Sequence, residues 1–168
     1  MIRVTVKSKG GDGLRRKLEQ MSRALKRAGG HEVAVGYPVG VEGLGQPNPA
    51  YDTGGGEGIS VIQVALINNY GINVPQRPFM DLAAKNMKAT FARVMQRLGP
   101  RIVDGTAAVE KVLDVAGLEA EEDVRKSIMD GPWEPNAEST IKAKGSDRPL
   151  VDTHTLHNSV THQVRRRA

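Results

Sequence analysis

Two long stretches of helical hydrophobic spacing set the limits on what this 168-residue chain can fold into. In the first, Phe79, Leu82, Ala83, Met87, Phe91, Val94, Met95 and Leu98 recur every three or four residues, with Lys85, Lys88, Arg93 and Arg97 on the polar side. That spacing makes one apolar stripe on a helix, and the run is too long for a strand. The second starts at Asp104 or Thr106 and runs to about Met129, with Val109, Val112, Leu113, Ala116, Ala120, Val124 and Ile128 inward. Gly99-Pro100 lies between them and is expected to end the first helix, because proline lacks the N–H that continues it. Glu119, Glu121, Glu122 and Asp123 form an acidic patch on the second. A basic helix followed by an acidic one predicts pairing, within one chain or between neighbouring subunits.

The N-terminal half reads as strand, helix, strand. Ile2, Val4 and Val6 alternate with Arg3, Thr5 and Lys7, the pattern of a half-buried strand rather than of a signal peptide. Asp12 can cap a helix from about Gly13 to Ala28 whose apolar face is Leu14, Leu18, Met21, Leu25 and Ala28. Glu32–Tyr37 is a second strand. Pro38–Gly58 reads as a long glycine- and proline-rich loop, and its Gly54-Gly55-Gly56-x-Gly58 run lacks the Gly-Lys-Ser/Thr of a phosphate loop. A loop of that length is expected to be flexible in the free chain and, within an assembly, to order against a neighbouring subunit or line a channel. Ile59–Asn69 reads as a short buried helix closed by Gly71, with a strand as the alternative that Val61 and Val64 leave open. Asn73–Pro78 is extended, because each proline biases its predecessor away from the helical region. Arg77, held between Pro75 and Pro78, is a candidate for an intersubunit salt bridge, with an intrachain pair as the plainer alternative.

These elements define a single α+β domain over residues 1–168, with a small mixed or antiparallel sheet packed against two or three long helices. The core is lean, since only 4% of residues are aromatic. Cysteine is absent, which excludes disulfides, thiol catalysis and cysteine-based zinc sites. No apolar run reaches the roughly 20 residues of a membrane span, so no membrane contact is expected. The formal net charge is +5, and Arg165-Arg166-Arg167 carries much of that excess.

The densest punctuation lies in 130–161, DGPWEPNAESTIKAKGSDRPLVDTHTLHNSVT. Gly131-Pro132 breaks the chain before the lone tryptophan, Trp133, which reads as a plug pinning this segment or as an anchor in an intersubunit pocket. Glu138–Lys142 is a short helix, Gly145-Ser146-Asp147 a turn, and Asp152-Thr153 the N-cap of a last helix with Leu156 and Val160 on its apolar face. Ser159–Arg165 returns as a final strand, with Val160 and Val164 inward.

Here the residues carry a resemblance. Trp133-x-Pro135, Ser139-Thr140-Ile141, Lys144-Gly145-Ser146-Asp147-x-Pro149-Leu150 and Val151-Asp152-Thr153-x-x-Leu156-x-x-Ser159-Val160 look like the end of a tailed-phage tail-completion, or head-to-tail joining, protein. That family includes minor tail protein Z-like and virion morphogenesis proteins. Upstream, Ile67-x-Asn69-Tyr70-Gly71 followed by Val74-Pro75-x-Arg77-Pro78-Phe79-Met80 resembles the same family's "N-E-Y-G … P-x-R-P-F" segment. Together the two blocks cover about a third of the chain. This chain has His154 where such proteins usually have glycine, and Asn69 where an acidic residue is common.

The resemblance implies a structural virion protein in the neck, made in the host cytoplasm. It would form a ring, commonly of six subunits, around the DNA channel. Its implied partners are copies of itself, a head connector or adaptor, and a tail terminator or tail tube protein, with contact to genomic DNA through phosphates alone. A tail terminator or another tail or baseplate ring is the alternative, and a non-specific DNA-binding module a further one. The expected interface residues are Arg77, Phe79, Glu119, Glu121, Glu122, Trp133, Asp152, Arg165, Arg166 and Arg167.

An enzyme is not expected. His154, His157 and His162 with Asp152 invite a metal test: His154 and His157, three apart, fit one helical face, but such a site needs a third ligand at good geometry and a supporting shell. His, Ser159 and Asp152 lack the strained nucleophile turn of a hydrolase. No cofactor or metal is therefore assigned.

Overall fold

The basic and acidic helices pair within the chain. In a computed structural model, which describes residues 11–48 and 58–167, α3 (Phe79–Val103) packs along α4 (Val109–Asp130). Before them come α1 (Gly11–Gly29), β1 (His31–Gly36) and α2 (Val61–Tyr70). After them come α5 (Glu138–Lys144), α6 (Thr155–Asn158) and β2 (Thr161–Arg166). The two strands pair antiparallel, from His31 opposite Arg166 to Gly36 opposite Thr161, and α4 packs against both. The architecture is α+β: helices gathered around a small antiparallel sheet.

The α3–α4 pair spans two apolar clusters. One joins Phe79, Ala83, Val124 and Ile128 to Val61 and Ala65 of α2 and to Leu156 and Val160 at the C-terminal end. The other joins Val94, Ile102, Val112, Leu113 and Ala116 to Ala24 of α1, with Val33 and Val164 packed against it from the paired strands. All seven residues expected on the inner face of the second helix are buried. Tyr37 closes the first cluster, its ring edge-on to Phe79 at 6.4 Å and its hydroxyl donating to the Leu156 carbonyl at 2.7 Å.

Several expectations are corrected. Gly99-Pro100 does not end α3. Pro100 sits inside it, and the last turn continues to Val103 because Ile102 is buried in the second cluster. One lost N–H bond is outweighed there by apolar burial. The connection to α4 then takes up Asp104 and Thr106, with the Thr106 and Ala107 N–H groups both donating to the Arg101 carbonyl, so α4 starts at Val109. Phe91 faces solvent at 44% exposure instead of joining the stripe. Helix α1 seats on Ala24 and Ala28, and Leu18, Met21 and Leu25, expected on its apolar face, remain exposed; the side chain of Leu14 lies outside the described residues.

The strand expected at Ile2–Val6 and the glycine run 54–56 lie outside the described residues. The near flank of that loop is tied down. Leu44 is buried, the Asn48 N–H donates to the Ile59 carbonyl at 3.2 Å, and Pro47 bridges to Ser60. Gly58 is required there, since a Cβ would stand 2.3 Å from the Asn48 carbonyl oxygen.

Candidate functional site

The two sequence blocks that carry the resemblance meet in space, and Arg77 joins them. Helix α2 begins with a capping box, in which the Gln63 N–H donates to the Ser60 hydroxyl and the Ser60 N–H donates to the Gln63 side chain. It ends at Gly71 in the left-handed conformation, φ 71°, where a Cβ would press on Gln76. The chain then doubles back, and the Arg77 N–H donates to the Asn68 carbonyl at 2.8 Å. Asn69, buried, accepts the Met80 N–H at 3.0 Å through its side-chain oxygen. It thus caps the start of α3 from a distance, because Pro78 at that helix's own N-cap makes no side-chain bond.

Arg77 is only 6% exposed. Its Nε and Nη2 both donate to the Glu134 carbonyl, at 3.3 and 3.1 Å, and Nη2 also donates to Asn136 Oδ1 at 3.0 Å. Burial pushes its pKa down, and the nearby Glu134 charge opposes that shift. Trp133, one residue before Glu134, is the second fastening. Its indole N–H donates to the Ser127 and Ile128 carbonyls at 3.1 and 3.2 Å, closing the C-terminal end of α4, while its ring packs on the first cluster. Gly131 gives the ring its seat: a Cβ there would lie 2.1 Å from the indole.

Between these blocks lies a cleft of about 390 Å³. Val64, Val74, Pro75, Leu150 and Leu156 form its apolar lining, and Arg77, Lys144 and Asp152 its charged lining. Burial also pushes the Lys144 pKa down, with Asp152 opposing and Arg77 adding to the shift. Asp152 is exposed and does not cap α6, as had been expected from sequence. The N-cap is His154, at φ 59° and without a side-chain bond, so Asp152 stands two residues too early to reach the free N–H groups of that turn.

The other expected residues separate. Phe79 is wholly buried in the core, so its ring cannot form an interface. Glu119 accepts from Arg93 and Arg97 at 3.1 and 2.6 Å, and those two hydrogen bonds hold its pKa below the ordinary carboxylate range. The charge pairing expected between the helices is thus satisfied inside the chain at this residue. Glu121 is buried, bonded to Arg125 at 2.8 Å and to His162 at 2.6 Å, while Glu122 is exposed. Arg165 pairs with Glu32 at 2.7 Å across the strands. Arg166 and Arg167 are exposed, and the Arg167 N–H donates to the Gly30 carbonyl, which brings the basic tail beside Lys26 and Arg27 at the end of α1.

The histidines do not converge on a metal. His154 and His157 stack edge-on with ring centroids 6.2 Å apart, while His162 lies between Glu121 and Asp114, the latter at 3.0 Å. Burial alone would lower the His162 pKa, but its hydrogen bonds to Glu121 and Asp114 win and raise it. Its ring fits only because residue 117 is glycine, where a Cβ would stand 2.2 Å from it. Among the described residues, no group of three His, Asp or Glu side chains is placed to hold a metal ion. Also among them, no helix is long and apolar enough to cross a membrane.

Sequence reasoning missed the Asn69 cap and the His162 cluster. The Ser60-x-x-Gln63 spacing was a readable signal for the start of α2; nothing in the sequence linked His162 to Asp114 and Glu121. Compared with known proteins, the chain matches no family model, no curated protein and no solved structure.

Proposed function

We propose that this chain is a non-catalytic structural component of a tailed-phage virion, a tail-completion or neck protein that joins the head connector to the tail. The observation that carries the reading is the joining of the two resembling blocks. Arg77 of the "P-x-R-P-F" block is bonded to Glu134 and Asn136 of the C-terminal block, nearly sixty residues on. A second observation agrees. His154 stands where the resembling proteins usually have glycine, and its φ of 59° is the left-handed conformation glycine favours. Function in such a protein resides in shape and interface, with a ring built by heterologous contacts between copies. Deleting the gene from the phage genome that encodes it is the test. DNA-filled heads and separate, finished tails are the expected products; joined, infectious particles would refute the role. Unterminated tails of irregular length would instead favour the alternative of a tail terminator.

One observation favours a second reading, non-specific binding to nucleic acid. Residues 1–29 hold nine of the 24 Lys and Arg and only two of the 19 Asp and Glu. The strand pairing sets Arg166 and Arg167 beside the end of that segment. Affinity for duplex DNA that falls steeply with salt, and ignores base sequence, is the signature of this reading. Binding unaffected by Arg166→Ala with Arg167→Ala would remove the tail from it.

A further inference from the structure

Helix α1 carries an apolar ridge that its own chain does not cover. Ala24 and Ala28 seat the helix on the second cluster, while Leu18, Met21 and Leu25 stay exposed on the adjoining strip of the same apolar face. Their spacing, i, i+3 and i+7, is the one by which a helix presents anchors to a groove. Lys17 precedes Leu18 and Lys26 follows Leu25. Among the described residues neither lysine makes an ion pair.

The same chain exposes a groove of matching character. It has a volume of about 300 Å³ and lies between α2, the end of β1 and the first turn of α3. Val35, Pro38, Ile62, Leu66, Tyr70 and Met80 wall it. Leu66 and Tyr70 are 47% and 64% exposed. The one charged residue in the lining is Asp81, exposed and also without an ion pair among the described residues. Charge divides in the same sense over longer stretches. Residues 32–81, from which the groove is built, hold five Asp and Glu against a single Lys or Arg, the buried Arg77. Residues 1–29 hold nine Lys and Arg against two Asp and Glu. A cationic ridge and an apolar groove with an acidic rim are complementary halves of one contact.

Ridge and groove do not meet within one chain. The groove opens at the first turn of α3, whereas α1 lies beside its last, where Arg23, Lys26 and Arg27 border Val103, Asp104 and Gly105. Those turns are roughly 30 Å apart along the helix. Each copy therefore offers a ridge at one end of α3 and a groove at the other. An unrelated partner that matched one patch would leave the other open to water, whereas further copies of the chain cover both. The resulting contact is head-to-tail, the heterologous kind from which rings are built.

We propose that the occupant of the groove is helix α1 of a second copy of this chain, with Leu18, Met21 and Leu25 on the apolar wall and the flanking lysines facing Asp81. Closure of the repeat into a ring rests on the neck reading above; the pairing of ridge with groove does not.

The test is the mass of the full chain by light scattering, at low salt and from micromolar to millimolar concentration. The parent associates as concentration rises. Leu25→Glu spoils only the ridge and Leu66→Arg only the groove, and each weakens association at least about 10-fold while the thermal transition stays in place. Mixed in equal amounts, the two variants pair into a dimer of twice 18.1 kDa that grows no further. The Leu66→Arg chain still supplies an intact ridge, and the Leu25→Glu chain an intact groove. Should Leu66→Arg unfold the chain, Tyr70→Lys, at a more exposed position, takes its place. A parent that stays monomeric, association unchanged in either variant, or a mixture that does not pair would each overturn the proposal. So would a monomeric parent that binds phosphatidylglycerol–phosphatidylcholine vesicles and loses them in Leu25→Glu, since the ridge would then belong to a lipid surface. Association kept in both variants but lost in Glu122→Lys would overturn it too, moving the contact to α4 and leaving the ring reading intact. The gene deletion described above judges the neck role separately: infectious deletion particles, from a chain that pairs as expected here, would refute that role and leave the contact standing.

Discussion

His162 shows how much of this molecule is decided by single side chains. The ring is wedged over Gly117 between the carboxylates of Glu121 and Asp114, and its pKa is raised by them. The folded chain therefore holds a proton there more tightly than the unfolded chain does. The stability this contributes is complete below the unfolded histidine value of roughly 6.5 and is lost as pH rises through the raised folded value. Urea denaturation between pH 6 and pH 9 should show that decline, and His162→Gln should flatten it. An unchanged slope in the variant would assign the decline elsewhere. This site was invisible in the sequence, since Asp114, Gly117, Glu121 and His162 are brought together only when β2 lies on α4.

At the scale of elements, the helix ends carry the departures from simple pattern. Helix α3 has no cap of its own and borrows Asn69 from α2. Asn69→Ala is expected to lower stability by about 1 kcal/mol, the usual worth of an N-cap, with Asn69→Asp retaining most of it through the helix dipole. Chemical denaturation of the three proteins checks the order. At the other end of the pair, Trp133 both packs and caps. Trp133→Ala should cost about 3–5 kcal/mol for the lost packing, and Trp133→Phe about 1 kcal/mol for the lost N–H donor. No loss in Trp133→Phe would mean that the hydrogen bonds to Ser127 and Ile128 contribute little beyond the ring itself. The presence of α2, α3, α4 and α5 was legible from spacing and punctuation. Their boundaries near Pro100 and Asp152 were not, because burial of Ile102 and the left-handed turn at His154 overrode the local signals.

For the whole molecule, the acidic patch splits into inner and outer members, and that division makes the assembly idea testable. Glu119 and Glu121 are engaged within the chain, while Glu122 is exposed. Glu122→Lys should leave the thermal transition within about 0.5 kcal/mol of the parent, as surface changes do, yet reduce the mass seen by light scattering if rings form through this face. Glu121→Lys should lower stability before any effect on association, because it sets a cation beside Arg125 and His162. A loss of stability in Glu122→Lys, or an intact ring in its presence, would remove the outer patch from the interface. Mass should be followed at low and high salt, since an association held by exposed charge weakens as salt screens it.

The sequence by itself determined the α+β class, the two long helices with most of their inner faces, a strand near Glu32–Tyr37 and another near Ser159–Arg165, and Trp133 as a fastening; that those strands pair was decided by the tertiary structure. These depend on local spacing, on glycine and proline, and on which residues avoid water, all of which act over a few turns of chain. Only the tertiary structure decided what the charged and polar residues do. It turned Glu119 toward Arg93 and Arg97, buried Glu121 with His162, left Leu18 and Leu25 of α1 exposed, and set Arg77 between two distant blocks at the wall of a cleft. A polar side chain gains little from its sequence neighbours. Its state is set by the partner that packing places within 3 Å, and that partner here lies tens of residues away.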